Sequence, residues 1–218
     1  YDFAKGLRSI LRQDPDVVMV GEIRDLETAE ISIQAALTGH LVVSTIHTNS
    51  AAGAIPRFLS MGVKPFLLAP ALNAVIGQRL VRRLCEQCKV PATLTPSQLH
   101  EVTETLRTVP ESSHERVDMQ SLKFMAPGKG CEACNQMGYK GRIGMYEIFT
   151  MSKGIEEAIL AANVSEYKIA ELACQEGMVT MAQDGLLKAL QGLTSVEEVL
   201  AAANIDTTVE EPIPSPSS

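Results

Sequence analysis

Short apolar runs alternate with helical periodicities in the first part of the chain. Val17-Val18-Met19-Val20 follows Asp14-Pro15-Asp16. Four apolar residues bounded by turn formers suit a strand covered on both faces, as in a parallel sheet. Asp25 can then cap a helix in which Leu26, Ala29, Ile33, Ala36 and Leu37 recur at helical spacing, with Gly39 as its C-terminal stop. A second apolar run, Leu41-Val42-Val43-Ser44-Thr45-Ile46, comes at once. Strand, helix and strand in this order predict a βαβ unit with parallel strands. Asn49 or Ser50 caps a further helix that runs to Met61 and ends at Gly62, with Pro56 inside it as a kink. The fold class read from this stretch is α/β.

The pattern then changes twice. From Leu84 to about Ile148 the chain is broken by Pro, Gly and polar residues, which predicts a small irregular lobe too poor in apolar residues to hold itself. Beyond Ser152 helical spacing returns: Ile155, Ile159 and Leu160 behind Ser152, then Ile169, Leu172 and Ala173 behind Ser165. Ser195-x-x-Glu198 has the spacing of a capping box ahead of Val199-Leu200. Asp206 to Ser218 is acidic and rich in Pro and Ser, the composition of a disordered tail. These shifts divide the chain at 1–83, 84–150, 151–205 and 206–218.

Charge narrows the function classes. The 218 residues carry 19 basic and 26 acidic side chains, a net charge of −7, and such a surface repels phosphate backbones. With aromatics at only 4%, base stacking is disfavoured as well. No apolar run reaches the roughly 18 residues of a membrane span, and the first ten residues mix charged with apolar groups, unlike a signal peptide. The chain opens on Tyr1 and not on Met, which reads as a cut from something longer.

Three sets of residues could carry chemistry. Glu22 and Asp25 follow the first strand, where α/β folds bind ligands and where a carboxylate can hold Mg²⁺; acids also suit a helix N-terminus, and the pattern leaves both roles open. His47 follows the second strand and His40 precedes it; either can be a hydrogen-bonded structural residue, whereas His47 is also placed to sense a phosphate. Parallel pairing of the two strands would make Glu22 and His47 neighbours on one sheet edge. Cys85/Cys88 and Cys131/Cys134 form two Cys-x-x-Cys pairs that can offer four thiolates to Zn²⁺, with a redox pair or unrelated thiols as alternatives. All four zinc positions would be filled by protein, so such a metal would be structural. Cys174 reads as a small core residue. Arg79, Arg82 and Arg83 form a basic cluster, either a solvated face or a contact with acidic groups of a partner.

These residues carry a family resemblance. Leu11-Arg12-Gln13-Asp14-Pro15-Asp16 leading to Val20-Gly21-Glu22-Ile23-Arg24-Asp25 resembles the Walker B segment of the type II/type IV secretion ATPase superfamily. Thr38-Gly39-His40 through Thr45-Ile46-His47-Thr48-Asn49-Ser50-Ala51 resembles its histidine box. The two cysteine pairs, followed by Gly138-Tyr139-Lys140-Gly141-Arg142-Ile143-Gly144-Met145-Tyr146-Glu147-Ile148, are similar to the branch of type II secretion and type IV pilus assembly ATPases, not to the retraction motors. Gln183-Asp184-Gly185-Leu186 through Gly192-Leu193-Thr194-Ser195-Val196-Glu197-Glu198-Val199 resembles the shared C-terminal end, so the likeness runs from Tyr1 to about Ala203.

The resemblance implies the C-terminal part of a RecA-like P-loop ATPase domain, with a tetracysteine zinc lobe and a C-terminal helical region. It implies ATP and Mg²⁺ as cofactors beside Zn²⁺ on Cys85, Cys88, Cys131 and Cys134. Glu22 would be the Walker B acid, His47 the residue reaching toward the γ-phosphate, and Arg24 a polar partner near the nucleotide. It further implies a cytoplasmic homo-hexamer at the inner membrane that drives a platform protein, in a pilus or a secretion machine. No Gly-x-x-x-x-Gly-Lys-[Ser/Thr] occurs anywhere in the sequence, so the phosphate-cradling loop is expected upstream of Tyr1 and the chain alone is expected to be inactive. The rival reading is a non-enzymatic zinc-ribbon adaptor for nucleic acid or protein.

Overall fold

Local signals start and stop most of the elements. The computed structural model describes residues 3–115, 117–161 and 164–204. In chain order the elements are α1 (Phe3–Leu11), β1 (Val17–Val20), α2 (Leu26–Leu37), β2 (Leu41–Ser44), α3 (Ala54–Ser60), α4 (Pro65–Ala71), β3 (Ala74–Leu84), β4 (Val90–Pro91), α5 (Pro96–Arg107), β5 (Met125–Ala126), β6 (Tyr139–Thr150), α6 (Lys153–Leu160), α7 (Glu166–Gln175), α8 (Met181–Leu190) and α9 (Val196–Asn204). Of the described residues, those up to Gly77 and from Glu147 to Met178 make one unit; those from Gln78 to Tyr146 and from Val179 onward make the other. Strands β3 and β6 pair with each other, and each begins in one unit and ends in the other. The acidic tail expected from Asp206 lies outside the described residues.

In the first unit β1 and β2 are parallel, in register from Val17 opposite Leu41 to Val20 opposite Ser44. Helix α2 makes the crossover. It is capped by Asp25, whose Oδ1 accepts from Thr28 N–H at 2.8 Å, and it stops at Gly39 with φ of +102°, a conformation glycine adopts without penalty. The expected two-sided cover of the strands is not found among the described residues. Val18 and Val20 are buried, whereas Met19 is 80% exposed and Val17, Leu41 and Val43 are exposed as well. The apolar partners available to this unit gather on the face of Val18 and Val20, leaving the other face bare. In α2 the buried residues include Thr28, Ile31 and Ser32 beside Ala29 and Ile33, while Leu26 and Leu37 face outward.

Helix α3 corrects a second expectation. It begins at Ala54 with Gly53 at its N-cap and no side-chain cap, so neither Asn49 nor Ser50 starts it. Pro56 therefore falls in the first turn, where its missing N–H is one that no helical carbonyl would have bonded, and no kink is required. Ile55, Leu68, Ile155, Ile159 and Ile169 are fully buried together, drawing α3, α4, α6 and α7 around one core. Ser152 and Ser165 cap α6 and α7 as the sequence predicts.

The second unit joins the cysteine lobe to α8 and α9 and has an apolar core, much of it supplied from outside residues 84–150. Val81, Val102, Leu106, Phe124, Met145, Leu186, Ala189, Val196 and Val199 are buried in one cluster. Burying a side chain such as Leu186 contributes about 1.5–3 kcal/mol, so this unit does not depend on metal alone for its packing. Helices α5 and α8 each open with a capping box, Thr95 with Gln98 and Thr180 with Gln183. At α9 only half of the expected box forms. Ser195 Oγ accepts from Glu198 N–H at 3.3 Å, while the Glu198 carboxylate turns to Arg82 instead, accepting from its backbone N–H at 3.0 Å and its guanidinium at 2.6 Å.

Candidate functional site

The segments leaving β1 and β2 are tied together. Thr45 Oγ1 donates to Gly21 O at 2.7 Å, and Ile23 N–H donates to Thr45 O at 2.9 Å. The parallel pairing thus continues past the strand ends and brings the two sequence candidates side by side. His47 Nε2 lies 3.0 Å from Glu22 Oε2, and Arg24 Nη2 lies 2.7 Å from Glu22 Oε1. The Arg24 hydrogen bond and charge, then the contact with His47, outweigh desolvation and hold the Glu22 carboxyl below the usual carboxylate range. An ionised carboxylate only accepts, so in this pairing Nε2 carries the proton. His47 is 83% exposed along its side chain, so packing around the ring does not fix its place.

Other candidates settle into structural roles. Asp25 is the cap of α2, accepting from both Thr28 N–H and Thr28 Oγ1. His40 Nδ1 lies 3.0 Å from Ala35 O at the end of the same helix. Arg82 is engaged by Glu198 and lies 4.1 Å over the Tyr139 ring, and Arg83 pairs with Glu86. Arg82 and Arg83 are therefore partly satisfied within their own unit.

Residues beyond His47 form a turn where the sequence pattern predicts a helix. Thr48 Oγ1 donates to Ser50 O at 2.8 Å, and Ser50 Oγ accepts from Gly53 N–H at 3.0 Å. Two carboxylates hold this turn from other elements of the same unit. Ser50 Oγ donates to Glu166 of α7, and Ala51 N–H donates to Glu147 of β6. In the sequence Glu147 stands out only as part of the Gly138–Ile148 motif. A single acid within the apolar run Met145-Tyr146-Glu147-Ile148-Phe149 was the signal that could have marked it.

In the second unit the four cysteines converge. Sulfur pairs Cys85–Cys131, Cys88–Cys134 and Cys131–Cys134 are 3.7, 3.8 and 3.7 Å apart, and all four sulfurs lie within 4.8 Å of one another. A tetrahedron with metal–sulfur bonds of about 2.3 Å has edges of about 3.8 Å. The donor set therefore fits a zinc ion in number, element and spacing. Gly130, with φ of +95°, allows the tight turn before Cys131, since a Cβ there would meet the Gln136 backbone. Burial raises the Cys134 thiol, but the N–H groups of Cys131 and Gly138, each 3.2 Å from its sulfur, together with hydrogen bonds from the Cys131 and Cys88 thiols, bring it down to about 6. Cys88 goes the other way: desolvation and its shared hydrogen bonds with the other sulfurs push it up to about 12. A divalent cation would remove the repulsion that keeps four such thiolates from coexisting.

Known proteins match the chain over nearly its whole length. The family described as "Type II/IV secretion system protein" matches residues 1–201. A type IV pilus assembly ATPase PilB of Thermus thermophilus is 51% identical over 199 residues, 91% of this chain and 21% of its own length. Type II secretion system protein E of Aeromonas hydrophila is 47% identical over 204 residues, 94% of this chain and 38% of its own length. The chain thus spans well under half of these relatives. Among solved structures, the pilus retraction motor PilT with bound ADP superposes with a TM-score of 0.59 at 26% identity, over 92% of this chain and 43% of that one. The Legionella pneumophila ATPase DotB shares the fold, with a TM-score of 0.58 at 19% identity over 95% of this chain and 43% of that one. By extent of match and by identity, the chain belongs to the type II/IV secretion system protein family.

Proposed function

We propose that the chain is the C-terminal part of an ATPase motor for type IV pilus assembly or type II protein secretion. The observation that carries this reading is the juxtaposition of Glu22 and His47 at the C-terminal edge of the β1–β2 pair, where α/β folds meet their ligands. Glu22 is held in its ionised form by Arg24 and His47, as a Walker B acid must be. Mg²⁺ held there would neutralise charge on the transferring phosphate. His47, on an exposed turn beside it, is free to exchange the Glu22 carboxylate for a phosphate oxygen as acceptor. Arg24 keeps the carboxylate oriented during that exchange. The phosphate-cradling loop belongs to the longer protein. Cys85, Cys88, Cys131 and Cys134 hold a structural zinc that fixes the turns on which they stand. By the same family reading the protein acts as a homo-hexamer on the cytoplasmic side of the inner membrane and moves a platform protein.

Steady-state phosphate release tests the reading. The full-length protein should turn over ATP, its Glu22→Gln variant should bind nucleotide but lose most turnover, and His47→Ala should lose turnover more than affinity. The 218-residue chain by itself should release no phosphate above background. Undiminished turnover in Glu22→Gln would place the chemistry elsewhere.

A further inference from the structure

Glu147 is a buried acid, 8% exposed, on strand β6, and neither the candidate zinc site nor the Glu22–His47 pair uses it. Burying a carboxylate is costly unless donors are aimed at it. Its Oε1 accepts from the backbone N–H of Ala51, in the turn that leads away from His47. Room for this contact is made by Gly77 on β3. A Cβ at Gly77 would lie 2.8 Å from Glu147 Cγ, 3.1 Å from Glu147 Oε1 and 3.2 Å from Ala51 N. The absent side chain, the buried acid and the amide therefore form one device, all within the first unit. His47 itself is exposed, so the backbone that follows it must set where the imidazole stands. Ala51 and Ala52, each 2% exposed, anchor that backbone in the core, and Glu147 fixes the anchor's orientation.

We propose that Glu147, accommodated by Gly77, is a positioning residue for His47: it clamps the 48–51 turn so that the imidazole is held where it meets Glu22 and the nucleotide. The proposal rests on the reading of Glu22 and His47 as an ATPase site. A misplacement of about 1 Å can cost on the order of a hundredfold in turnover, so the device controls rate more than nucleotide affinity.

The test uses the full-length protein and four variants: Glu147→Leu, Glu147→Gln, Gly77→Ala and His47→Ala. Glu147→Leu and Gly77→Ala should each lower kcat about tenfold to a hundredfold with KM for ATP within about twofold. Glu147→Gln keeps an acceptor oxygen for Ala51 and should stay within about threefold of wild type. On the His47→Ala background, Glu147→Leu should cost almost nothing more, because the residue acts through the imidazole. Hydrogen exchange should speed up in peptides covering 45–53 in Glu147→Leu and Gly77→Ala, and remain unchanged in peptides covering β1. Additive losses with His47→Ala, or unchanged exchange at 45–53, would overturn the proposal. So would a rise in KM at constant kcat. If His47→Ala alone leaves turnover intact, the reading of the site fails instead. The hydrogen-exchange arm then decides by itself whether Glu147 clamps the turn. Gly77→Ala retains every polar group, so a misfolded Glu147→Leu would not remove the test.

Discussion

Glu198 offers a quantitative check on how α9 is docked. Its carboxylate accepts from the backbone N–H of Arg82 at 3.0 Å and from the guanidinium at 2.6 Å, while Thr194 Oγ1 donates to Arg82 O at 2.8 Å. The Glu198 side chain is 17% exposed and that of Arg82 59%. Hydrogen bonds to a covered charge are worth about 1.5–3 kcal/mol and exposed ion pairs about 0–1 kcal/mol. With one partner covered and one in water, Glu198→Ala should cost about 1.5–2 kcal/mol, and Glu198→Gln, which can still accept from the amide, about 1 kcal/mol. The effect should depend on pH with a definite sign. The Arg82 guanidinium, then its N–H, hold the Glu198 carboxyl below the usual range against the opposing effect of burial. Between the folded and unfolded values the unfolded chain binds more protons, so stability rises with pH in that window. The contribution is complete above about pH 5 and disappears as pH falls through the depressed value. Urea denaturation of wild type, Glu198→Gln and Glu198→Ala from about pH 3 to 7 measures it. Glu22 and Glu86 are also depressed, but they titrate alike in all three proteins and cancel in the differences. Identical pH slopes for wild type and Glu198→Gln, or a Glu198→Ala cost under about 0.5 kcal/mol, would refute the reasoning.

Three other outcomes follow from the geometry. Purified full-length protein should carry one zinc per chain by elemental analysis, and Cys131→Ser should lower that content and loosen the turns around Cys134 without unfolding α5 and α8, whose core is apolar. Gly185→Ala should destabilise the second unit by about 1–3 kcal/mol in urea, because the new Cβ would lie 2.5 Å from Met145 Sδ and 2.6 Å from Val199 Cγ1. Leu186→Ala, at a fully buried position of the same helix, should cost about 2–5 kcal/mol and lower the midpoint without changing metal content.

Much of the candidate site is legible in the sequence because it depends on near neighbours. Val17 to Val20 and Leu41 to Ser44 mark themselves as strands, Asp25 and Gly39 bracket α2, and parallel pairing then brings Glu22 to His47. The cysteine pairs likewise announce their chemistry by spacing. What sequence could not give depends on distant residues. The bare face of Met19 and Val43 reflects which partners the fold supplies, something an apolar run cannot state. Helix α5 was hidden because only Val102 and Leu106 of its residues are buried, a sparse stripe among polar groups. Ser50 looked like a helix cap, and it does bond to Gly53 N–H, but it closes a turn held by Glu166, far along the chain. Glu198 had the spacing to complete a capping box and spends its carboxylate on Arg82, because that guanidinium and amide stand within reach only in the folded unit.

The discontinuous make-up of the first unit has a consequence for how the protein is born. Ile155, Ile159 and Ile169 share a core with Ile55 and Leu68, yet the whole stretch from Gln78 to Tyr146 is translated between them. At about 5–20 residues per second, the nascent Glu22–His47 segment waits on the order of ten seconds for α6 and α7 to leave the ribosome. During that interval the apolar positions of α3 and α4 lack the helices that later enclose them. Messages cut anywhere before α7 should therefore yield aggregation-prone products and not half-active ones, and a chaperone that shields nascent apolar segments would find its need greatest on this stretch of the chain.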